Sequence, residues 1–135
     1  MPVVGNEADE ELIQLACFLA SKSRAKICAV YIITVKRQLP LDAEIEPETR
    51  KAEGILGRVV SVAAEQGCEI DTDLLQARGV GPAIVDEAAE GKYDLILMGV
   101  QYGTRFGQFS LGNVVSYVLK HAPCRVMLCQ QPATQ

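Results

Sequence analysis

Residues 99–113 read GVQYGTRFGQFSLGN, with glycine at positions 99, 103, 107 and 112. The apolar run Leu95–Met98 leads into this stretch, and the amphipathic segment Val114–Leu119 leads out of it. The pattern predicts a glycine-rich connection between a buried strand and a helix, because glycine permits backbone conformations that a Cβ atom forbids. Two interpretations stay open: a loop that holds a phosphate or a nucleotide, and a long surface loop that needs glycine only to turn.

The helix after this stretch is predicted to begin at Gly112-Asn113. The N–H groups of a helix's first turn have no partner within the helix and lie at the positive end of its dipole. If an anion binds this chain, we expect it on the N–H groups of Asn113 and Val114. Arg105 is the one cation in the stretch, where it either contacts a phosphate or is solvated.

Length, charge and cysteine usage limit the class of protein. The chain has 135 residues and a net charge of −4, which predicts a single domain over residues 1–135 and no nucleic-acid partner. We expect no membrane segment, since no apolar run approaches the roughly 20 residues that span a bilayer, and no signal peptide. The five cysteines form no C-x-x-C pair, which indicates reduced thiols and a cytoplasmic location. The single histidine makes a metal site improbable.

Hydrophobic periodicity predicts alternating strands and helices. A short strand, Pro2–Val4, is followed by a helix from Glu7 that Asn6 or Asp9 caps. The apolar run Ala25–Val35 is typical of a strand buried on both faces. The remaining predicted elements are a helix from about Pro47 to Gln66 that Gly67 ends, a strand over Cys68–Ala77, a helix within Gly79–Gly91, a strand over Asp94–Gly99, a helix over Ser110–Ala122 and a strand over Cys124–Gln130.

This alternation predicts an α/β fold of the Rossmann-like type. We expect a five-stranded parallel sheet of order 3-2-1-4-5 with helices on both faces. The acids at alternate positions of Cys68–Ala77 suit an edge strand. Ligands bind such sheets at the carboxyl ends of the strands, where the strand order reverses. That point lies between the first and fourth strands, so Val4-Gly5-Asn6 and Gly99–Gly103 are predicted to line one crevice.

Three segments carry a family resemblance: Met98-Gly99, LGNVV at 111–115 and VLKHAPCRV at 118–126. Together they resemble the universal stress protein family, and the alternation of elements extends the likeness over the whole chain. The resemblance implies a parallel α/β domain of order 3-2-1-4-5, shared with adenine nucleotide alpha hydrolase-like proteins, that is usually a homodimer. Nucleotide-binding members carry glycine, two residues, glycine, nine residues, glycine, then serine or threonine. They also carry an aspartate at the end of the first strand.

The chain departs from that nucleotide pattern. Counted from Gly99, the second glycine position is Tyr102, and Gly103 can serve only if the loop shifts by one residue. Asn113 stands at the serine or threonine position, and Val4 stands at the aspartate position. A ring in the path of the phosphate and a lost carboxylate both weaken ATP binding. The candidate nucleotide-binding residues are Gly5, Asn6, Gly99, Gly103, Arg105, Gly112, Asn113 and Val114.

Two functional hypotheses follow from the resemblance. The first is a regulatory stress-response module with a degraded nucleotide crevice, and the alternative is a nucleotide sensor that binds ATP or AMP. We expect no enzyme, because His121 and Cys124 sit at a helix end and a strand start without an orienting third group. A small hydrolase is therefore the least favoured class, and no cofactor is certain.

The two ends of the chain carry further expectations. Pro2–Val4 is short for a central strand, which needs about five or six residues. We therefore expect the natural chain to extend upstream, either by a few residues or as a domain of a larger protein such as a transporter. The last strand lacks the charges that discourage pairing, so it is predicted to pair with its own copy across a two-fold axis. The interface residues of that homodimer are predicted to be Val126, Met127, Leu128 and Cys129.

Overall fold

The computed structural model describes residues 1–43, 45–101, 103–105, 108–110 and 112–131, which form an α/β fold of helices and parallel strands. The helices are α1 (Ala8–Ser23), α2 (Glu46–Glu65), α3 (Val80–Glu90) and α4 (Asn113–His121). The strands are β1 (Cys28–Thr34), β2 (Asp71–Ala77), β3 (Leu95–Gln101), β4 (Gly103–Arg105), β5 (Gln108–Ser110) and β6 (Arg125–Gln131). The chain divides into two compact units, Met1–Gly79 and Val80–Gln135. The predicted α/β class is confirmed.

In the first unit, β1 and β2 pair in parallel, from Cys28 opposite Asp71 to Thr34 opposite Ala77. Helix α1 packs on α2, and α2 packs on both strands. Each large apolar side chain that is fully buried stabilises the fold by about 1.5–3 kcal/mol. The core of this unit joins α1, β1 and α2 and consists of Val3, Ile13, Cys17, Ala29, Leu56, Val59, Val62 and Ala63.

The segment before α1 extends this sheet on its other edge. Pro2 forms an isolated parallel bridge with Val30. The Val3 N–H donates to the Val30 carbonyl oxygen, and the Val30 N–H donates to the Met1 carbonyl oxygen, each over 2.9 Å. Neighbouring segments therefore run in the order Met1–Val3, β1, β2. The predicted strand Pro2–Val4 is reduced to this one bridge, because the chain turns at Gly5, whose φ is +88°.

The carboxyl end of α2 lies where the sequence predicted it, just before Gly67. Gly67 has a φ of +68°, which a glycine adopts without strain. The Cys68 N–H then donates to the Ala63 carbonyl oxygen over 2.9 Å. Gly67 therefore ends the helix as predicted. Its left-handed conformation lets the following N–H donate to a carbonyl group of the last helical turn. Strand β2 begins at Asp71, later than the predicted Cys68.

Two side chains at the end of β2 hold the connection that follows β1. The Gln76 Nε2 atom donates to the carbonyl oxygens of Leu41 and Ala43, over 3.0 and 2.8 Å. The Arg78 guanidinium donates to three carbonyl oxygens, those of Val35, Lys36 and Leu39. These bonds replace the regular backbone pairing that an irregular segment lacks.

In the second unit, β3 and β6 pair in parallel, from Leu95 opposite Arg125 to Gln101 opposite Gln131. Helix α3 packs on α4, and a Cβ atom at Gly81 would lie 3.0 Å from the Tyr117 ring. Part of the predicted glycine-rich loop is instead an antiparallel hairpin of β4 and β5, with Gly103 opposite Ser110. Strands of three residues are too short to show an alternating pattern, so the sequence predicted a loop there.

Helix α4 spans nine residues and begins at Asn113, which agrees with the start predicted at Gly112-Asn113 and not with the broader range Ser110–Ala122. The longest helix, α2, spans 20 residues. Within the described ranges, no helix combines the length and the apolar character that crossing a bilayer requires.

Candidate functional site

The turn after Met1–Val3 contains two of the predicted site residues, Gly5 and Asn6. Gly5 has a φ of +88°, and a Cβ atom there would lie 2.6 Å from the Cδ1 atom of Ile55. The backbone conformation favours glycine, and a Cβ atom would in addition oblige the Ile55 side chain to move. The Asn6 Oδ1 atom accepts a hydrogen bond from the Ala8 N–H over 3.0 Å, which supports the start of α1.

Asp9 fixes the same turn from within α1. Its carboxylate accepts hydrogen bonds from the Val4 N–H over 3.2 Å and from the Gly5 N–H over 2.7 Å. The side chain is buried, with 7% of its residue surface exposed. A buried carboxylate is costly unless charged hydrogen bonds compensate it, and these two bonds and the helix dipole do so. Sequence analysis predicted Asp9 only as a possible cap of α1. The Asn6-x-x-Asp9 spacing, close to that of a capping box, is the signal that an acid at position 9 can accept N–H groups before the helix.

A cavity of about 440 Å³ opens beside this turn, between the start of α1 and the middle of α2. An ion pair between Arg58 and Glu10 crosses the two helices at the cavity. Apolar, polar and charged side chains all line the cavity. The lining residues are Gly5, Asn6, Glu7, Asp9, Glu10, Ile13, Ile55, Arg58, Val59 and Val62.

The other predicted nucleotide-binding residues lie in the second unit. Gly99 is in β3, opposite Cys129 of β6, and Gly103 and Arg105 are the two ends of β4. Tyr102, which the sequence placed at the family's second glycine position, lies outside the described residues. The predicted crevice combines residues of both units, and it stays a prediction.

The start of α4 has the predicted form. Gly112 precedes the helix with a φ of +80°, and Asn113 is the first helical residue. The Ser116 N–H donates to the Gly112 carbonyl oxygen over 3.2 Å, which closes the first turn. The N–H groups of Asn113 and Val114 therefore belong to the first helical turn, where anions are stabilised.

His121 and Cys124, the two residues considered for nucleophilic chemistry, lie at the end of α4 and just before β6. His121 ends α4, and the centroid of its ring lies 4.3 Å from that of Tyr117. Burial and the nearby Asp94 carboxylate raise the pKa of the Cys124 thiol, which disfavours the nucleophilic thiolate. Within the described residues, no group of three or more histidine, cysteine, aspartate or glutamate side chains is arranged to hold a metal ion.

The predicted dimer residues form one edge of the second unit. Among the described residues, β6 pairs with β3 and with no other strand. Met127 has 40% of its surface exposed, and Val126, Leu128 and Cys129 are half-buried. Both faces of this edge strand therefore present apolar surface.

Comparison with known proteins identifies the family. The model of the universal stress protein family matches residues 1–130. This chain belongs to the universal stress protein family. A universal stress protein of Methanocaldococcus jannaschii is 34% identical to it over 140 residues, which cover 98% of this chain and 81% of that protein.

Solved structures of universal stress proteins share its fold. One from Archaeoglobus fulgidus has a TM-score of 0.78 at 21% identity and covers 94% of this chain and 93% of its own. A structure of the universal stress protein from Archaeoglobus fulgidus in complex with dAMP has a TM-score of 0.72 at 22% identity, over 94% of this chain and 92% of its own. The family resemblance inferred from the sequence is thus confirmed.

Proposed function

We propose that this chain is a homodimeric regulatory module of the stress response whose nucleotide crevice binds ATP or AMP weakly. The proposal places the crevice between the first and fourth strands of a sheet of order 3-2-1-4-5, in a cytoplasmic protein without catalytic activity. Family membership supports the regulatory role. The segment order Met1–Val3, β1, β2 and the parallel pair β3–β6 are what the two halves of such a sheet would contain.

The proposed weakness of nucleotide binding rests on the turn at Val4 and Gly5, which has no aspartate at position 4 and whose N–H groups are already hydrogen-bonded. The position of the family's aspartate is Val4, which offers no carboxylate to a sugar or a base and is 64% exposed. The N–H groups of Val4 and Gly5 already donate to the Asp9 carboxylate. An anionic ligand would have to displace that carboxylate, and its own charge would be repelled by it.

A specific observation favours the alternative, a nucleotide sensor. The start of α4 keeps the form that suits a phosphate, with Gly112 in a left-handed conformation and Asn113 at the first helical position. The relative solved with dAMP shares the fold. The two hypotheses differ in affinity, which a titration measures.

Isothermal titration of ATP into the unmodified protein and into Tyr102→Gly tests the proposal. We expect weak binding by the unmodified protein and tighter binding by Tyr102→Gly, because glycine lets phosphate approach the backbone. Tyr31→Phe, in β1, is a matched control on an aromatic residue away from the glycine-rich stretch. Tight binding by the unmodified protein that Tyr102→Gly does not improve would favour the nucleotide sensor.

A further inference from the structure

The cavity beside the turn at Gly5 is lined by residues of the first unit and has the size of a ligand pocket. Its volume of about 440 Å³ falls within the range of about 300–1,000 Å³ that pockets for small organic molecules occupy. Four aliphatic side chains line it: Ile13 from α1, and Ile55, Val59 and Val62 from α2. The three from α2 are four and then three residues apart, so they share one face of that helix. The cavity therefore offers aliphatic surface to a hydrocarbon chain.

The charged side chains of the cavity are mostly acidic. Among the described residues that line it are three acids, Glu7, Asp9 and Glu10, and one basic residue, Arg58, which leaves a surplus of two negative charges. Arg58 donates a hydrogen bond to Glu10, and the side chains of the two residues are 70% and 40% exposed. An ion pair so open to water adds little stability, so a ligand cation can share Glu10 with Arg58 or replace it there at small cost. The charges of the cavity therefore favour a cation over an anion.

The hydrogen bonds of the turn point to the same kind of ligand. The N–H groups of Val4 and Gly5 already donate to the Asp9 carboxylate. An anion in the cavity would compete with Asp9 for these donors and would be repelled by the carboxylates of Glu7 and Glu10. A ligand ammonium group meets neither obstacle, because it donates hydrogen bonds and carboxylates accept them.

We propose that this cavity binds an amphiphilic cation, a primary alkylamine whose ammonium group pairs with Glu10 and Glu7. Its hydrocarbon chain lies on the aliphatic side chains of α1 and α2, where burial of apolar surface adds affinity. The cavity shares Gly5 and Asn6 with the proposed nucleotide crevice and uses no residue of the second unit. This inference therefore goes beyond the proposed function and can hold if that proposal fails.

Titration of the isotope-labelled full-length protein with n-hexylammonium, followed by NMR amide shifts, measures the affinity and locates the site. The probes n-hexanol and n-hexanoate carry the same chain without the positive charge, and methylammonium carries the charge without the chain. We expect hexylammonium shifts that saturate and centre on residues 5–13 and 55–62. We also expect hexylammonium to bind at least about tenfold more tightly than each other probe, because it alone combines a charge-assisted hydrogen bond with chain burial. Shifts centred elsewhere, or hexanol or hexanoate binding as tightly as hexylammonium, would overturn the proposal.

Three variants separate this site from a general attraction of cations to an acidic protein. Glu10→Gln removes a carboxylate of the cavity and leaves Arg58 in place, so it should weaken hexylammonium binding about tenfold and strengthen hexanoate binding. Glu11→Gln removes the same charge from an exposed residue of the same helical turn that does not line the cavity, and it should change both affinities by less than about twofold. Arg58→Gln should tighten hexylammonium binding, because it removes the competing cation.

Circular dichroism checks that each variant is folded. If Glu10→Gln fails to fold, Glu7→Gln compared with Glu11→Gln tests the same attraction, and Glu7→Gln should be the weaker binder of hexylammonium. Equal weakening by the cavity variant and by Glu11→Gln would show that the acids of the cavity do not select the cation, and it would overturn the proposal.

Discussion

At the scale of single residues, Asp9 fixes the turn that carries Gly5 and Asn6. Its carboxylate is buried and accepts the N–H groups of Val4 and Gly5. It therefore sets the shape of the turn that carries Gly5 and Asn6, and it occupies hydrogen-bond donors that an anionic ligand would use. One side chain thus links the stability of the first unit to the proposed weakness of nucleotide binding.

Replacement of Asp9 by asparagine should destabilise the protein. The amide has nearly the shape of the carboxylate, but it loses charge-assisted hydrogen bonds that contribute about 1.5–3 kcal/mol. Urea unfolding followed by circular dichroism measures the loss. Glu11→Gln, an exposed acid of the same helical turn, should change the free energy of unfolding by less than about 0.5 kcal/mol. Equal effects of the two variants would show that the Asp9 contacts do not stabilise the turn.

How far the sequence predicts this site depends on the range of each contact. Local signals predicted the turn at Gly5 and the start of α4 at Gly112-Asn113. The predicted cap of α1 at Asn6 or Asp9 is wrong, because the cap position is Glu7, which makes no side-chain capping hydrogen bond. The approach of Ile55 to Gly5 joins α2 to the turn before α1, and the ion pair of Arg58 with Glu10 joins α2 to α1. Such contacts depend on how the two helices pack, which periodicity within one helix does not specify.

At the scale of elements, the start of α4 depends on the conformation of Gly112. A Cβ atom added there meets nothing within 4 Å, so the space is open, but the φ of +80° is one that a β-branched side chain disfavours. The residue is therefore required for its backbone geometry and not for close packing.

Gly112→Val should weaken any anion binding at α4 without unfolding the protein. The strained φ costs of order 1–3 kcal/mol, which the chain relieves by moving the N–H groups of Asn113 and Val114. Titration with AMP, followed by NMR amide shifts, measures the binding and locates it. Gly57→Val is the matched control, because Gly57 lies within α2 with open space around it. Amide shifts that centre elsewhere, or that persist in Gly112→Val, would contradict an anion site at α4.

Strand pairing explains why the observed bounds of the strands differ from the predicted bounds. The apolar run Ala25–Val35 and the alternating pattern of Cys68–Ala77 predicted two strands, and the pairing confines them to Cys28–Thr34 and Asp71–Ala77. The strand type followed from residue pattern, whereas the exact ends follow from which partner residues are in register. The hairpin of β4 and β5 left no periodic signal because each strand is so short.

At the scale of the whole molecule, the proposed homodimer depends on β6. An exposed apolar edge strand is an aggregation hazard unless another strand covers it. Val126 and Leu128 point to one face of the strand and Met127 and Cys129 to the other, because side chains alternate. Pairing with a second copy would cover the edge and the apolar side chains on both faces.

Sedimentation of charged variants tests the dimer. Leu128→Asp should yield a monomer, because an unpaired charge would be buried at the interface, or an unfolded chain if the monomer is not viable. Met127→Asp tests the opposite face. Thr72→Asp, on the exposed part of β2, is the control and should leave the dimer intact. A monomer at high micromolar concentration for the unmodified protein, or a dimer that both β6 variants leave unchanged, would contradict the proposal.

We propose that this member of the universal stress protein family has a weakened nucleotide crevice. Mass spectrometry of the purified protein after denaturation, with standards for AMP and ATP, measures how much nucleotide the protein retains. We expect far less than one nucleotide per chain, because Val4 lacks the carboxylate and Asp9 occupies the N–H groups of the turn. Recovery of AMP or ATP in a one-to-one ratio with the protein would contradict it and establish the nucleotide sensor instead.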